Sequence, residues 1–188
     1  MLARPADPGR INPSAVDRGQ KAPARRCYDG GSPRKPDSAM SEPHHRLEAL
    51  EQTYGELLAL CDGLETVADS LPHAVTPRMC LTLAASLEPL VARTHRLEEE
   101  TLFPLLEASQ GRQWGPTLAR LRAEHLADQS ATAEVSEALH DLGSGRSALS
   151  PDAMGYLLRS FFESMRRHVQ SEQELMAMAR RDDGDATA

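Results

Sequence analysis

A histidine followed four residues later by a glutamate occurs three times in this 188-residue chain, at His44–Glu48, His95–Glu99 and His168–Glu172. Four steps along a helix bring two side chains onto one face, a turn apart. Each pair can therefore aim an imidazole nitrogen and a carboxylate oxygen at the same point. Imidazole and carboxylate together suit iron, copper, nickel or zinc, whereas magnesium and calcium prefer oxygen throughout. His125 supplies a further imidazole. By helical angle, His45 points away from the apolar face that carries His44, and Glu48 also falls off that face. His73 lies in a turn and His140 close to one, so both read as surface residues. Three scattered cysteines, Cys27, Cys61 and Cys80, offer neither a thiolate zinc site nor a disulfide framework. Cys61 and Cys80 read as small core residues.

The elements that must position these donors are helices. Four stretches carry apolar residues at alternating steps of three and four. The first runs from about Pro43 to Ser70, with Leu47, Leu50, Tyr54, Leu57, Cys61 and Leu64 on one face. Thr76–Pro77 opens the second, an N-cap followed by an N1 proline. It extends to about Ala108 with Leu87, Val91, Leu102 and Leu106 inward, and Pro89 is expected to bend or interrupt it. The third ends at Gly143-Ser-Gly145 and carries Leu118, Leu121, His125, Asp128, Thr132, Val135, Leu139 and Leu142. Ser150–Pro151 caps the fourth, with Leu158, Phe161, Met165, His168, Glu172, Leu175 and Ala179 in its stripe. Long helices joined by short loops predict an all-α, antiparallel up-down four-helix bundle.

Folding the stretches at their turns tests whether the donors can meet. His44, His95, His125 and His168 then fall within about 8 Å of one height, at a helical rise of ~1.5 Å per residue. His95, Glu99, His168 and Glu172 lie on core-facing stripes, and His125 occupies a core position. Buried imidazoles and carboxylates without partners cost several kcal/mol, and metal coordination offsets that cost. The expected metal ligands are His44, His95, Glu99, His125, His168 and Glu172. Four imidazoles and two carboxylates exceed one tetrahedral zinc and suit two ions. Asp128 reads equally as a partner for a ligating imidazole N–H or as a helix-surface residue. Glu98 is expected to be exposed.

Composition narrows the alternatives. The chain carries 21 Lys+Arg against 28 Asp+Glu, for a net charge of −7, which argues against nucleic acid or an anionic membrane as a partner. Residues 1–39 differ sharply from the rest: they hold six of the 13 prolines and eight Lys/Arg against four Asp. That segment is expected to be a disordered tail, or an over-extended start ahead of Met40. The bundle is expected over 40–182 and a disordered C-terminus over 183–188. No apolar run approaches the roughly 20 residues a membrane helix needs, and no secretory pattern opens the chain. A cytoplasmic location is expected.

The motifs resemble those of the hemerythrin-like (HHE cation-binding) family. His44-x-x-Leu47-Glu48 is similar to its first-helix opening. His95-Arg-Leu-Glu98-Glu99-Glu-Thr-Leu102-Phe103-Pro104 is similar to its strongest motif, Glu124-His125 to its third-helix pair, and Phe161-Phe162 through His168 to Glu172 to its fourth helix. The resemblance spans about residues 43–180. It implies two non-haem iron ions bridged by oxo or hydroxo groups and carboxylates, with Glu99 and Glu172 bridging and His44 and His125 as terminal ligands. Oxygen-carrying members have a further histidine where Gln129 stands, and an Asp five residues after the last His where Glu172 comes at four.

One fewer imidazole implies a more open centre. The resemblance therefore implies a protein that binds or senses a small diatomic ligand, dioxygen or nitric oxide, or handles iron in a stress response. It reads as a ligand-binding protein before a dedicated enzyme, and as a monomer or weak homo-oligomer. The alternatives are a di-iron enzyme turning over peroxide or nitric oxide or assisting iron–sulfur repair, and a metal-free helical interaction module.

Overall fold

The computed structural model describes residues 38–109 and 113–185, and their side chains over 45–109 and 113–181. Most of the expected N-terminal tail and the last three residues lie outside the described residues. Among the described residues the chain is helical and has no strand. The helices are α1 (Ser38–Ser70), α2 (Pro77–Leu97), α3 (Phe103–Ala108), α4 (Gly115–Gly143) and α5 (Pro151–Asp185), with a π-helical turn (Glu98–Leu102) joining α2 to α3.

The predicted stripes form the core. Leu50, Tyr54, Leu57, Cys61 and Leu64 of α1 are buried against Leu87 and Val91, Leu118 and Leu121, and Leu158, Phe161 and Met165 of the later helices. Helix α1 packs against α2 and α5, and α4 packs against the same two. Ion pairs trim the outside of these contacts. Arg159 meets Asp69 at 2.7 Å, Arg166 meets Asp62 and Glu65 at 2.7 Å, and Arg180 meets Glu51 at 2.8 Å. Arg93 of α2 pairs with Glu56 of α1.

The turns follow their local chemistry. Ser150 caps α5 by accepting a hydrogen bond from the Ala153 N–H on its Oγ, at 3.2 Å. Thr76 precedes Pro77 as expected but makes no side-chain cap bond. Gly145 takes φ 69°, a left-handed conformation that glycine adopts without strain, and so ends the α4 segment. Trp114 is buried in the connection before α4, where its Nε1–H donates to Ser109 Oγ at 2.8 Å.

One expectation changes. Pro89 was expected to bend or interrupt the second stretch; it does not interrupt it, since α2 runs through the proline, which lies on an exposed face. The departure from α-geometry comes nine residues later, where the Phe103 N–H reaches back to the Glu98 carbonyl. Pro104 supplies a physical reason. Its ring crowds the carbonyl four residues back, and a widened turn relieves that contact.

Candidate metal centre

Three of the predicted histidines converge. His95 comes from α2, His125 from α4 and His168 from α5, and all three are more than nine-tenths buried. The His95 and His125 rings stack with centroids 4.0 Å apart, and His168 lies 5.7 Å from each. One ligand atom from each of these histidines and one from Glu98 lie within 4.8 Å of one another.

Carboxylates line the same space. Glu98 Oε2 is 3.1 Å from His125 Nε2, and its Oε1 is 3.8 Å from His168 Nε2. Glu172 approaches the same two nitrogens at 3.8 and 3.4 Å. Asp128 Oδ2 lies 3.6 Å from His168 Nδ1 and 3.8 Å from His95 Nε2. The Tyr54 hydroxyl donates to Glu172 Oε2 at 2.9 Å.

The second helix departs from expectation. Glu99, the residue expected to bridge, leaves its side chain about half exposed and reaches Nδ1 of His125 from outside at 3.1 Å. Glu98, expected to be exposed, is fully buried and takes the interior place. The π-helical turn accounts for this. Glu98 is its first residue, and counting a constant 100° per residue beyond His95 loses its meaning once the turn widens. Asp128 joins the cluster. His45 is exposed and pairs with Glu48 at 3.8 Å. His44 lies in α1, but its side chain falls outside the described residues.

Burial and mutual charge set the protonation states. Burial, with the neighbouring His125 and His168, drives His95 down to about 3, so it is neutral. Burial also lowers His125 and His168, but the carboxylates of Glu172 and Glu98, joined at His125 by Glu99, outweigh it and carry both up to about 10. Burial pushes Glu98 above the usual carboxylate range. Burial acts the same way on Glu172, but Glu98, His125 and His168 hold it well below that range. Without metal the cluster is therefore two imidazolium ions facing an ionised Glu172, beside Glu98, whose carboxyl burial holds above the usual range.

The donor set fits a metal. Both ring nitrogens of His95, both oxygens of Glu98, Nε2 of His125 and of His168, Oδ2 of Asp128 and Oε1 of Glu172 are buried without a hydrogen-bond partner. Polar atoms in that condition cost about 1–3 kcal/mol each. Among them, one ligand atom each from His95, Glu98, His125 and His168 lies close enough to the others to form a coordination set. His125 adds a second indication: its Nδ1–H can donate to Glu99, which directs Nε2 inward as the ligating atom.

The hemerythrin HHE cation-binding domain matches residues 42–179. The chain belongs to that family. All of the residues gathered in the cluster lie within the matched span. No curated protein and no solved structure matches the chain. No helix among the described residues is long and apolar enough to cross a membrane.

Apolar neighbours in sequence accompany the ligand residues into the interior. Leu102, Phe103, Met165 and Leu175 are buried, and the Phe103 ring lies 5.6 Å from that of His125. A groove lined by Leu71, Pro72 and Tyr156 contains none of the cluster residues. Asp128 and His168 instead line a smaller cleft of about 330 Å³ between α4 and α5.

Proposed function

We propose that this hemerythrin-family chain is a non-haem di-iron protein that binds or senses a small ligand of the size of dioxygen or nitric oxide, in a cytoplasmic stress response. The observation that carries the reading is the convergence of His95, Glu98, His125 and His168, within a cluster where eight buried donor atoms of these residues, Asp128 and Glu172 make no hydrogen bond. Glu98 and Glu172 are the carboxylates best placed to be shared between two ions, and His44 is proposed to complete the set from α1. Glu99 then orients His125 through Nδ1. Bound iron supplies open coordination positions for the ligand. The protein supplies neutralisation of its charge by two buried carboxylates, fixed imidazole orientations and a wall that excludes bulk water. The free, buried thiols of Cys61 and Cys80 suit a reducing compartment.

The scaffold is read as an antiparallel up-down four-helix bundle. Its support is the order of cross-helix partners: Glu51, Asp62 and Asp69 of α1 meet Arg180, Arg166 and Arg159 of α5. Positions that rise along one helix fall along the other.

Anaerobic loading with ferrous iron, followed by metal analysis and absorption spectroscopy, tests the reading. Two irons per chain and a near-ultraviolet oxo-bridge band after air exposure are expected. A folded chain that retains no iron would overturn it. In that event the imidazolium–carboxylate pairs are a structural network of a metal-free helical module.

A further inference from the structure

A centre with all three imidazoles more than nine-tenths buried needs a route in. The seams between helices differ in how they are closed. Between α1 and α5 three arginines reach across to acids on the facing helix. Between α2 and α4 Ser136 Oγ donates to the Ala84 carbonyl at 3.0 Å, and the groove of about 470 Å³ beside it is lined by none of the centre's residues. Between α4 and α5 the joining contacts come from the centre itself, Asp128 with His168 and His125 with Glu172. There the cleft of about 330 Å³ opens.

Its construction is specific. Ser164 and Ser171 line it four residues before and three after His168, so both share the histidine's face of α5. Side chains that small leave the edge of a largely buried imidazole as part of the cleft lining. His168 forms part of the floor, and its Nε2 is a buried nitrogen without a hydrogen-bond partner. Arg120 and Arg167 stand in the lining, each tied to an acid on its own helix, Glu124 and Glu163. Leu121 is the one wholly apolar side chain among the lining residues. Water occupies about 30 Å³ per molecule, so the cleft holds several.

We infer that this cleft is the port through which hydrated species, the metal ion on loading and small anions afterwards, reach the centre. The inference rests on the metal-centre reading and adds the route and the ligand class. Walls of hydroxyl, guanidinium and carboxylate replace the water that such species shed, as polar linings do in selective pores. Apolar gases need no such replacement and are not held to this path.

The test uses the full iron-loaded chain with azide as the hydrophilic probe and nitric oxide as the apolar one. Ser164→Phe and Ser171→Phe should each slow azide association at least tenfold, change nitric oxide association less than twofold and leave final iron content unchanged. Ser86→Phe, on the exposed side of α2, should alter neither rate. A metal-free arm stands beside it. Ser171→Cys in a Cys27→Ser background should react readily with a sulfonated thiosulfonate reagent, and Ser164→Phe should slow that reaction at least tenfold. An unreactive Ser171→Cys, or azide rates unchanged in both Phe variants of a chain that binds iron, overturns the port alone. Equal slowing of both probes overturns the ligand class. Failure of the unmodified chain to bind iron overturns the metal-centre reading instead.

Discussion

Tyr54 and Glu172 are 118 positions apart in the chain, and the tyrosine hydroxyl donates to the carboxylate at 2.9 Å. The ring of Tyr54 is a fully buried part of the α1 stripe, so one residue joins the apolar core to the polar centre. Burial, with Glu98 and Glu172 nearby, drives its hydroxyl far above the ordinary phenol range, so it stays a donor. Tyr54→Phe keeps the packing and removes the donor. A hydrogen bond to a charged group contributes about 1.5–3 kcal/mol. Urea unfolding of the metal-free protein should show a loss of that size with an unchanged m-value. A loss near zero would mean that Glu172 finds another partner.

The exchange of roles between Glu98 and Glu99 gives a second prediction. Glu98→Gln should abolish tight metal binding, because it removes an interior anion that is fully buried. Glu99→Gln should weaken binding by about 10–100-fold, the range seen when a partner that orients a ligating histidine is lost. Chelator competition measures both. If Glu99→Gln proves the more damaging, then Glu99 rather than Glu98 reaches the metal.

Much of this centre was legible in the sequence, for a physical reason. His125, His168 and Glu172 sit in regular α-helix, where spacing converts directly into direction, and their stripes are buried as read. Glu98 was not legible, since no periodicity announces where a helix widens. Pro104 was the available signal, because a proline inside a helical pattern crowds the turn before it. Tyr54 was placed correctly in the core, but its hydroxyl partner depends on a residue more than a hundred positions away. Pro89 does not interrupt α2, because a proline on an exposed helix face costs a hydrogen bond without requiring a break.

Two glycines test the packing of the scaffold apart from the centre. A methyl group on Gly143 would lie 2.9 Å from the Pro77 carbonyl oxygen and 3.1 Å from Cys80 Cβ. Backbone cannot swing away as a side chain can, so Gly143→Ala should cost about 1–3 kcal/mol. Gly55, inside α1, has nothing within 4 Å of the added methyl. Gly55→Ala should stabilise by about 0.5–1 kcal/mol through helix propensity. Opposite shifts in thermal midpoint are expected. A neutral Gly143→Ala would show that α4 does not approach the start of α2 so closely.

The protonation states make the metal-free protein and its metal loading depend on pH in opposite ways. His125 and His168 rise from 6.5 to about 10 on folding. Their stabilising contribution is complete below pH 6.5 and is lost as pH climbs from there through about 10. His95 falls from 6.5 to about 3. Below pH 6.5 the unfolded chain takes up a proton there that the folded chain refuses, so stability falls as pH drops towards 3. Glu172, held below its ordinary range, adds to the loss on the acid side. Metal-free stability should therefore peak near pH 6. Metal needs the lone pairs that those protons occupy, so loading must expel them. Titrating iron into weakly buffered protein at pH 7.5 should release at least the two protons held by His125 and His168, and metal affinity should rise with pH across the range where metal-free stability falls. Loading without proton release would show that the imidazoles are already neutral, and His125→Gln should then leave the pH dependence of metal-free stability unchanged.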